Sequence, residues 1–320
     1  MSTPRVIVTR AIVGDTHVAG AEVLMAGHER RSRDEILASI AGADVIVSMF
    51  SDRVDDAFLD AAGDSLKAVC NYAVGYDNID VAACARRNVV VTNTPGAVTE
   101  GTADLAWALI LGVARLVVQG DRFVRAGEFA RQGPLAMTDF LGRDLTGRTL
   151  LIVGAGRIGY ATALRSSGWG MRVLYVARSR HLEFEMAPLA ARRVTLEEGL
   201  AEADVVSIHT PLTEHTRHLI DARAFSRMKP TAILINTARG PIVDESALAQ
   251  ALKDRRIWGA GIDVYEREPE IHPALLECDN AILTPHIGSA EERWRNVMTD
   301  VCFENVRAVL RGERAPNTVG

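Results

Sequence analysis

Short apolar runs, mostly Val, Ile and Leu, recur along the chain without polar alternation, the pattern of strands buried on both faces of a parallel sheet. They predict strands over residues 6–9, 44–47, 68–71, 89–92, 150–153, 173–176, 205–208, 233–236, 259–263 and 281–283. Helix-like stretches between them imply crossover connections and an α/β fold. Two longer helical stretches interrupt this rhythm. One starts near Thr99 and Glu100 and runs through 103–116. The other starts near Ser289, where Glu291 and Glu292 suit the positive end of its dipole, and runs to about Arg311.

No repeat, low-complexity tract or Pro/Gly/Ser linker separates the parts. The economical layout is discontinuous. Residues 1–99 and 290–320 form a smaller domain and 100–289 a larger central one, with the long helices as crossing points and a cleft there. Length agrees, because 320 residues at roughly 150 per domain suggests two.

Composition narrows the function classes. At 48% hydrophobic and 24% charged residues the chain is ordinary globular material, which excludes general disorder. Lys plus Arg is 36 against 41 Asp plus Glu, with no basic run, so nucleic acid is a poor partner: its phosphates demand clustered cations. The first ten residues lack a charged-then-apolar signal, and the uncharged apolar run 105–114, bounded by Asp104 and Arg115, is about half a membrane span. A cytoplasmic protein with no membrane partner is expected. Cys70, Cys84, Cys278 and Cys302 are too far apart for a C-x-x-C knuckle and too few for a disulfide scaffold, so buried free thiols are expected.

Chemistry first appears after the strand at 150–153. Gly154-Ala155-Gly156-Arg157-Ile158-Gly159 is G-x-G-x-x-G between a strand and a helix-like stretch. Gly154 permits the tight turn, Gly156 lets backbone approach a pyrophosphate, and Gly159 lets the helix pack on the sheet. The helix N-terminus adds N–H groups and partial positive charge for a diphosphate. A glycine-rich packing turn is the bland alternative, and the strand-loop-helix-strand context speaks against it. After the next strand, a site for NAD usually places Asp or Glu to bind the ribose 2′-hydroxyl. Here stand Ala177, Arg178, Ser179 and Arg180, with no carboxylate until Glu183. Two guanidinium groups and a hydroxyl suit a 2′-phosphate, so NADPH/NADP⁺ is expected over a weaker NADH. A solvated basic turn is the alternative.

Three further polar residues follow strands of the central domain: Arg239 before Gly240, Glu268 before Pro269, and His286 in Thr284-Pro285-His286-Ile287-Gly288-Ser289. Carboxyl ends of parallel strands line a cofactor crevice, so these side chains can converge on one substrate. Taken singly, each is better read as a surface ion-pair partner, a loop charge or a helix cap. Jointly, downstream of a phosphate loop, they read as catalytic. His209, His215 and His218 lack an accompanying carboxylate set, so no metal is expected.

With these residues in hand the chain resembles the NAD(P)-dependent D-2-hydroxyacid dehydrogenases, most closely their glyoxylate/hydroxypyruvate reductase branch. The resemblance covers nearly the whole chain. It rests on 71–80 (Asn71-Tyr72-Ala73-Val74-Gly75-Tyr76-Asp77-Asn78-Ile79-Asp80), the glycine loop, 228–240, 263–269 and 284–289. It implies a Rossmann-type doubly wound sheet inserted into a smaller flavodoxin-like α/β substrate domain. It also implies a homodimer joined through the first long helix and following loop.

The resemblance implies roles as well. Arg239 holds the substrate carboxylate, His286 is the proton donor and base, and Glu268 orients His286. Val74 and Gly75 offer backbone N–H groups to the carboxylate. Thr102, Thr210, Pro211, Thr237, Ala238, Asp263 and Gly288 lie along the cofactor, with Asp263 near the carboxamide. Two departures stand out. Residues 11–31 look shorter than the family's first helix and carry Gly14, Gly20 and Gly27. The loop 134–142 has Met137, Thr138, Asp139 and Phe140 where some hydroxypyruvate reductases present a Trp to the partner subunit. The stretch Ser48-Met49-Phe50-Ser51-Asp52-Arg53 resembles the reductases' substrate-side loop. NADPH-dependent reduction of glyoxylate or hydroxypyruvate is therefore the leading reading. A dehydrogenase of broader or bulkier specificity, or a dinucleotide-sensing corepressor or scaffold on the same fold, are the alternatives.

Overall fold

The apolar runs gather into two sheets, one in each of two units of the chain. The computed structural model describes residues 3–29 and 31–319. Its units are Met1–Val98 with Ser289–Gly320, and Thr99–Gly288. The first carries β1 (Arg5–Val8), β2 (Glu22–Met25), β3 (Val45–Met49), β4 (Ala68–Tyr72) and β5 (Val90–Thr92). The second carries β6 (Thr149–Val153), β7 (Arg172–Val176), β8 (Arg192–Arg193), β9 (Val205–Ile208), β10 (Ile233–Asn236), β11 (Gly259–Ile262) and β12 (Ala281–Leu283). A last strand, β13 (Thr318–Val319), returns antiparallel to β5.

Sheet order in the first unit is β13-β5-β4-β3-β1-β2, parallel apart from β13. Every residue of β3 and β4 is buried, which is why neither alternates in sequence. The helix Glu292–Leu310 packs on both and buries Met298, Cys302, Phe303 and Val306. Its start falls three residues after the expected Ser289, because the preceding segment is spent on a loop described below.

Three strands were not expected from the pattern. β2, β8 and β13 are edge or terminal strands with mostly exposed residues, so they lack the apolar run that betrays a central strand. β2 occupies the glycine-bearing stretch 11–31. Gly14 and Gly20 sit there at φ +90° and +78°, and among the described residues no helix forms between β1 and β2.

In the second unit all neighbours are parallel, in the order β12-β11-β10-β9-β6-β7-β8. The chain moves outward from β6 through β7 to β8, then restarts at β9 on the other side of β6. The carboxyl ends of β6 and β9 are therefore a topological switch point, where open α/β sheets hold ligands. The helix Thr99–Ala114 lies against this sheet and buries Ala106, Trp107, Leu109, Ile110 and Val113. It stops two residues short of the expected Leu116, which adopts φ +56° and turns the chain by 64° into a second helix, Val117–Arg125. Among the described residues no single helix is long and apolar enough to cross a membrane.

Candidate active site

The glycine loop stands at the switch point, and its three glycines are needed for three different physical reasons. Gly154, at φ +104°, has no room for a side chain: a Cβ would lie 2.6 Å from His209 C and Thr210 N, the start of the loop after β9. At Gly159 a Cβ would lie 2.3 Å from the Gly154 carbonyl oxygen and 2.9 Å from Ile152 Cγ2, so its absence lets the helix Arg157–Arg165 press onto β6. Gly156 meets nothing within 4 Å. It is the N-cap of that helix, and no side chain caps the N–H groups behind it. A backbone cradle with open space and uncapped donors suits an anionic diphosphate. Ala155 is buried beneath it, while Arg157 is exposed at the helix start. Thr210 and Pro211 lie in the facing loop, beside Gly154 for Thr210.

At the other side of the sheet, the ends of β10, β11 and β12 carry the polar residues. His286 Nδ1 and Glu268 Oε2 lie 2.7 Å apart, and Glu268 Oε1 accepts from the Tyr265 N–H at 3.0 Å. The imidazole is thus held by a carboxylate that is itself fixed to the end of β11. His286 adopts φ +56°, a left-handed backbone that costs a non-glycine residue roughly 1–2 kcal/mol. Asp263, 1% exposed, holds the loop in that shape. Its Oδ1 accepts from Thr284 Oγ1 (2.6 Å) and Ile287 N (2.8 Å), and its Oδ2 from Gly288 N (2.9 Å). Burial pushes the Asp263 carboxyl above its ordinary range, while these donors and His286 pull the other way. Thr102 Oγ1 donates to the Gly288 carbonyl at 3.2 Å, pinning the loop from the first long helix.

Arg239 is half-buried after β10. Asn236 shapes its turn by donating to the Arg239 carbonyl and accepting from Ala238 N. The next residue, Gly240, lies so close to Tyr265 that a Cβ would come within 1.9 Å of the Tyr265 carbonyl carbon. The arginine loop and the Glu268 segment are therefore packed backbone to backbone. Sequence reading selected Arg239, Glu268 and His286 but missed Asn236 and Tyr265 as their supports; for Asp263 it took a cofactor-side role from the resemblance and not the organisation of this loop.

In the first unit, Val74 and Gly75 follow β4. Asn93 Nδ2 donates to the Val74 carbonyl and Asn71 Nδ2 to the Gly75 carbonyl, each at 2.8 Å, so these two peptide planes are fixed. Asn78 Nδ2 binds the carbonyls of Met49 and Asp52 and so ties the loop to the segment after β3. Asp52, 3% exposed, accepts from Thr9 Oγ1 and Met49 N.

Residues 107–288 match the family model described as D-isomer specific 2-hydroxyacid dehydrogenase, NAD binding domain. A glyoxylate reductase of Pyrococcus horikoshii is 46% identical over 99% of this chain and 96% of its own length. The chain belongs to the D-isomer-specific 2-hydroxyacid dehydrogenases. It is an NAD(P)-dependent oxidoreductase acting on 2-hydroxy acids. A Thermus thermophilus protein of known structure shares 42% identity at TM-score 0.91, covering 99% of this chain and 100% of that one. An NADPH-dependent glyoxylate/hydroxypyruvate reductase of Sinorhizobium meliloti, solved with NADP and malonate, shares 33% at TM-score 0.85, covering 100% and 97%.

The dehydrogenase's residues fit a nicotinamide dinucleotide. Besides the glycine cradle, the Thr237 hydroxyl is buried with no protein partner, which a bound group or water would satisfy. The turn after β7 is more constrained than its sequence suggests. Arg180 is engaged by Glu185, which also accepts from Tyr175 Oη and is held at a pKa of about 2, chiefly by Arg180. Arg193, which sequence reading passed over, donates to the carbonyls of Ala177 and Arg178 and so braces the turn. Arg178 and Ser179 are exposed at its tip. A cavity of about 830 Å³ lined by Ala177, Arg180, Glu185 and Arg193 adjoins it.

Of the other histidines, His209 contacts Ser207 Oγ and His218 contacts Glu266. Among the described residues no group of three His, Cys, Asp or Glu side chains could hold a metal. All four cysteines are free and buried; burial pushes Cys70 up to about 12 and Cys84 to about 11.

Proposed function

We propose that this dehydrogenase reduces small 2-oxo acids, glyoxylate and hydroxypyruvate, to glycolate and D-glycerate, with NADPH preferred to NADH. The observation that carries the reading is the 2.7 Å contact of His286 Nδ1 with Glu268, which supports Nε2 as the nitrogen that transfers the proton. A bound nicotinamide dinucleotide supplies the hydride. Arg239 grips the substrate carboxylate by paired charge-assisted hydrogen bonds and polarises the C2 carbonyl. His286 delivers a proton from Nε2 to the C2 oxygen as negative charge grows there, and removes it in the oxidative direction. Glu268 fixes the ring's tautomer and orientation.

The names of the relatives support the substrate class, and the Arg178-Ser179 turn, together with NADP in the Sinorhizobium enzyme, supports the cofactor preference. The same reading makes the enzyme a homodimer. Val117, Val124, Phe129, Met137 and Leu141 are exposed apolar side chains within one stretch, Met137 at 91%, and such a patch suits a subunit interface.

The test is loss of reduced-nicotinamide absorbance with glyoxylate, hydroxypyruvate, pyruvate and phenylpyruvate, using NADPH and NADH in turn. The first two acids with NADPH are expected to give the highest kcat/KM. A maximum with phenylpyruvate would mean a bulkier specificity, and turnover with none would favour the dinucleotide-sensing scaffold. Arg178→Ala is expected to lower kcat/KM with NADPH about tenfold or more while sparing NADH; an equal effect on both would remove Arg178 from the 2′-phosphate.

A further inference from the structure

A pair of glutamates, Glu245 and Glu266, adjoins the segment that carries Glu268, and the chemistry above does not use it. Glu245 opens the helix Glu245–Lys253, which follows the arginine loop, and it is 6% exposed. Its Oε1 accepts from the Glu266 N–H at 2.7 Å, and its own N–H donates to Glu266 Oε1 at 3.0 Å. Each glutamate thus binds the other's backbone, a reciprocal clasp between two segments distant in sequence. Glu266 Oε2 also meets His218 Nε2 at 3.1 Å, so the outer side of the clasp is tied to a third loop.

The clasp is costly to bury, which argues that it has a use. Burial and the neighbouring Glu266 charge push the Glu245 carboxyl above its ordinary range, and the backbone N–H groups of Glu266 and His272 only offset this. A buried acidic side chain offers little net stability over an apolar one of similar size. What it supplies is registry. Its partner, Glu266, lies between Tyr265, whose N–H holds Glu268 Oε1, and the segment ending in Glu268 itself. On the other strand of the clasp, Gly240 presses on the Tyr265 peptide one residue after Arg239.

We propose that Glu245 is a positioning residue for the reaction: by clasping the Glu266 peptide it sets Glu268 against His286 and fixes both relative to Arg239. The proposal rests on the reading of His286 as the acid. Glu245 itself touches neither His286 nor the substrate-binding arginine.

Glu245→Ala removes the acceptor for the Glu266 N–H. The expected result is a fall in kcat of about tenfold, the worth of one well-formed hydrogen bond in a buried site, with dinucleotide affinity by fluorescence titration unchanged. Glu245→Gln keeps an acceptor oxygen and is expected to restore most of kcat. In a Glu268→Ala background the same Glu245→Ala change is expected to cost nothing further, because its path to His286 is already cut. An unchanged kcat in Glu245→Ala, a loss that Gln does not rescue, or full additivity with Glu268→Ala would each overturn the proposal. Should Glu245→Ala fail to fold, Glu245→Asp, whose shorter side chain withdraws the carboxylate from the Glu266 N–H, must lower kcat while Glu245→Gln keeps it, or the proposal fails. A fully active His286→Ala would instead sink the underlying reaction scheme, whatever Glu245 does.

Discussion

The phosphate loop and the His286 loop end strands of one sheet, yet they hold their shapes by opposite means. The phosphate loop is built from absent atoms. Side chains are missing at Gly154 and Gly159 because backbone lies 2.6 Å and 2.3 Å from where a Cβ would be. The His286 loop is built from an added charge. A buried carboxylate, Asp263, gathers two backbone N–H groups and a hydroxyl and holds a histidine in left-handed backbone. Sterics suffice where the ligand is bound by backbone. Where, in the proposed reaction, one side chain moves a proton, its orientation has to be set by directional bonds.

The comparison breaks most sharply at His286. His286→Ala leaves the bonds from Asp263 to Thr284, Ile287 and Gly288 in place, since none involves the imidazole. We expect kcat to fall by about 10²–10⁴-fold, with the melting temperature and dinucleotide affinity little changed. A comparable loss of dinucleotide affinity would show that the two loops are not separable.

Next in size are the glycines, which sharpen the other side. Gly159→Ala forces a methyl against the Gly154 carbonyl and Ile152, an overpacking worth roughly 1–3 kcal/mol, so stability and cofactor binding should fall together. Gly156→Ala meets only open space. It should leave urea stability unchanged and still weaken the dinucleotide, because the methyl occupies the approach to the cradle. Equal effects of the two substitutions in denaturation would contradict the steric assignment.

The same contrast explains what could be read before the structure. The glycine signature is local in sequence even though the backbone that crowds Gly154 comes from His209 and Thr210, so G-x-G-x-x-G between a strand and a helix is visible within ten residues. The central strands were equally visible because burial on both faces leaves an uninterrupted apolar run, as in β6 and β9. Edge strands carry no such run, and Arg192-Arg193 does not look like a strand at all. Electrostatic devices are long-range: Glu268 and His286 are 18 positions apart and Glu245 and Glu266 are 21. Arg239, Glu268 and His286 could be nominated because each follows a strand. Asp263's grip on the loop, Asn236 and Arg193 could not, since each acts by hydrogen-bonding backbone whose position only the fold supplies. Likewise Arg180 looked equivalent to Arg178 until Glu185 was seen to engage it.

The smallest expected effect lies at the seam between the two devices. His209 follows β9 beside Gly154, with Nε2 2.8 Å from Ser207 Oγ and Nδ1 buried without a protein partner. Burial holds its pKa down at about 3, so the ring is neutral in the folded enzyme. In the unfolded chain it titrates near its ordinary ~6.5. Between those values the unfolded chain binds a proton that the folded chain does not. Its contribution is therefore complete above pH ~6.5 and is lost as pH falls toward about 3, by at most ~1.4 kcal/mol per unit. Glu185, lowered to about 2, loses its contribution only below the ordinary glutamate range, so the two are separable by pH. Urea denaturation at pH 7.5, 6.5 and 5.5 should show wild-type stability falling more steeply than that of His209→Gln, which has nothing to protonate. Parallel curves would mean that the ring finds a partner for its second nitrogen when it charges. Acid would then leave the phosphate-loop side of the sheet as firm as the side that Asp263 holds.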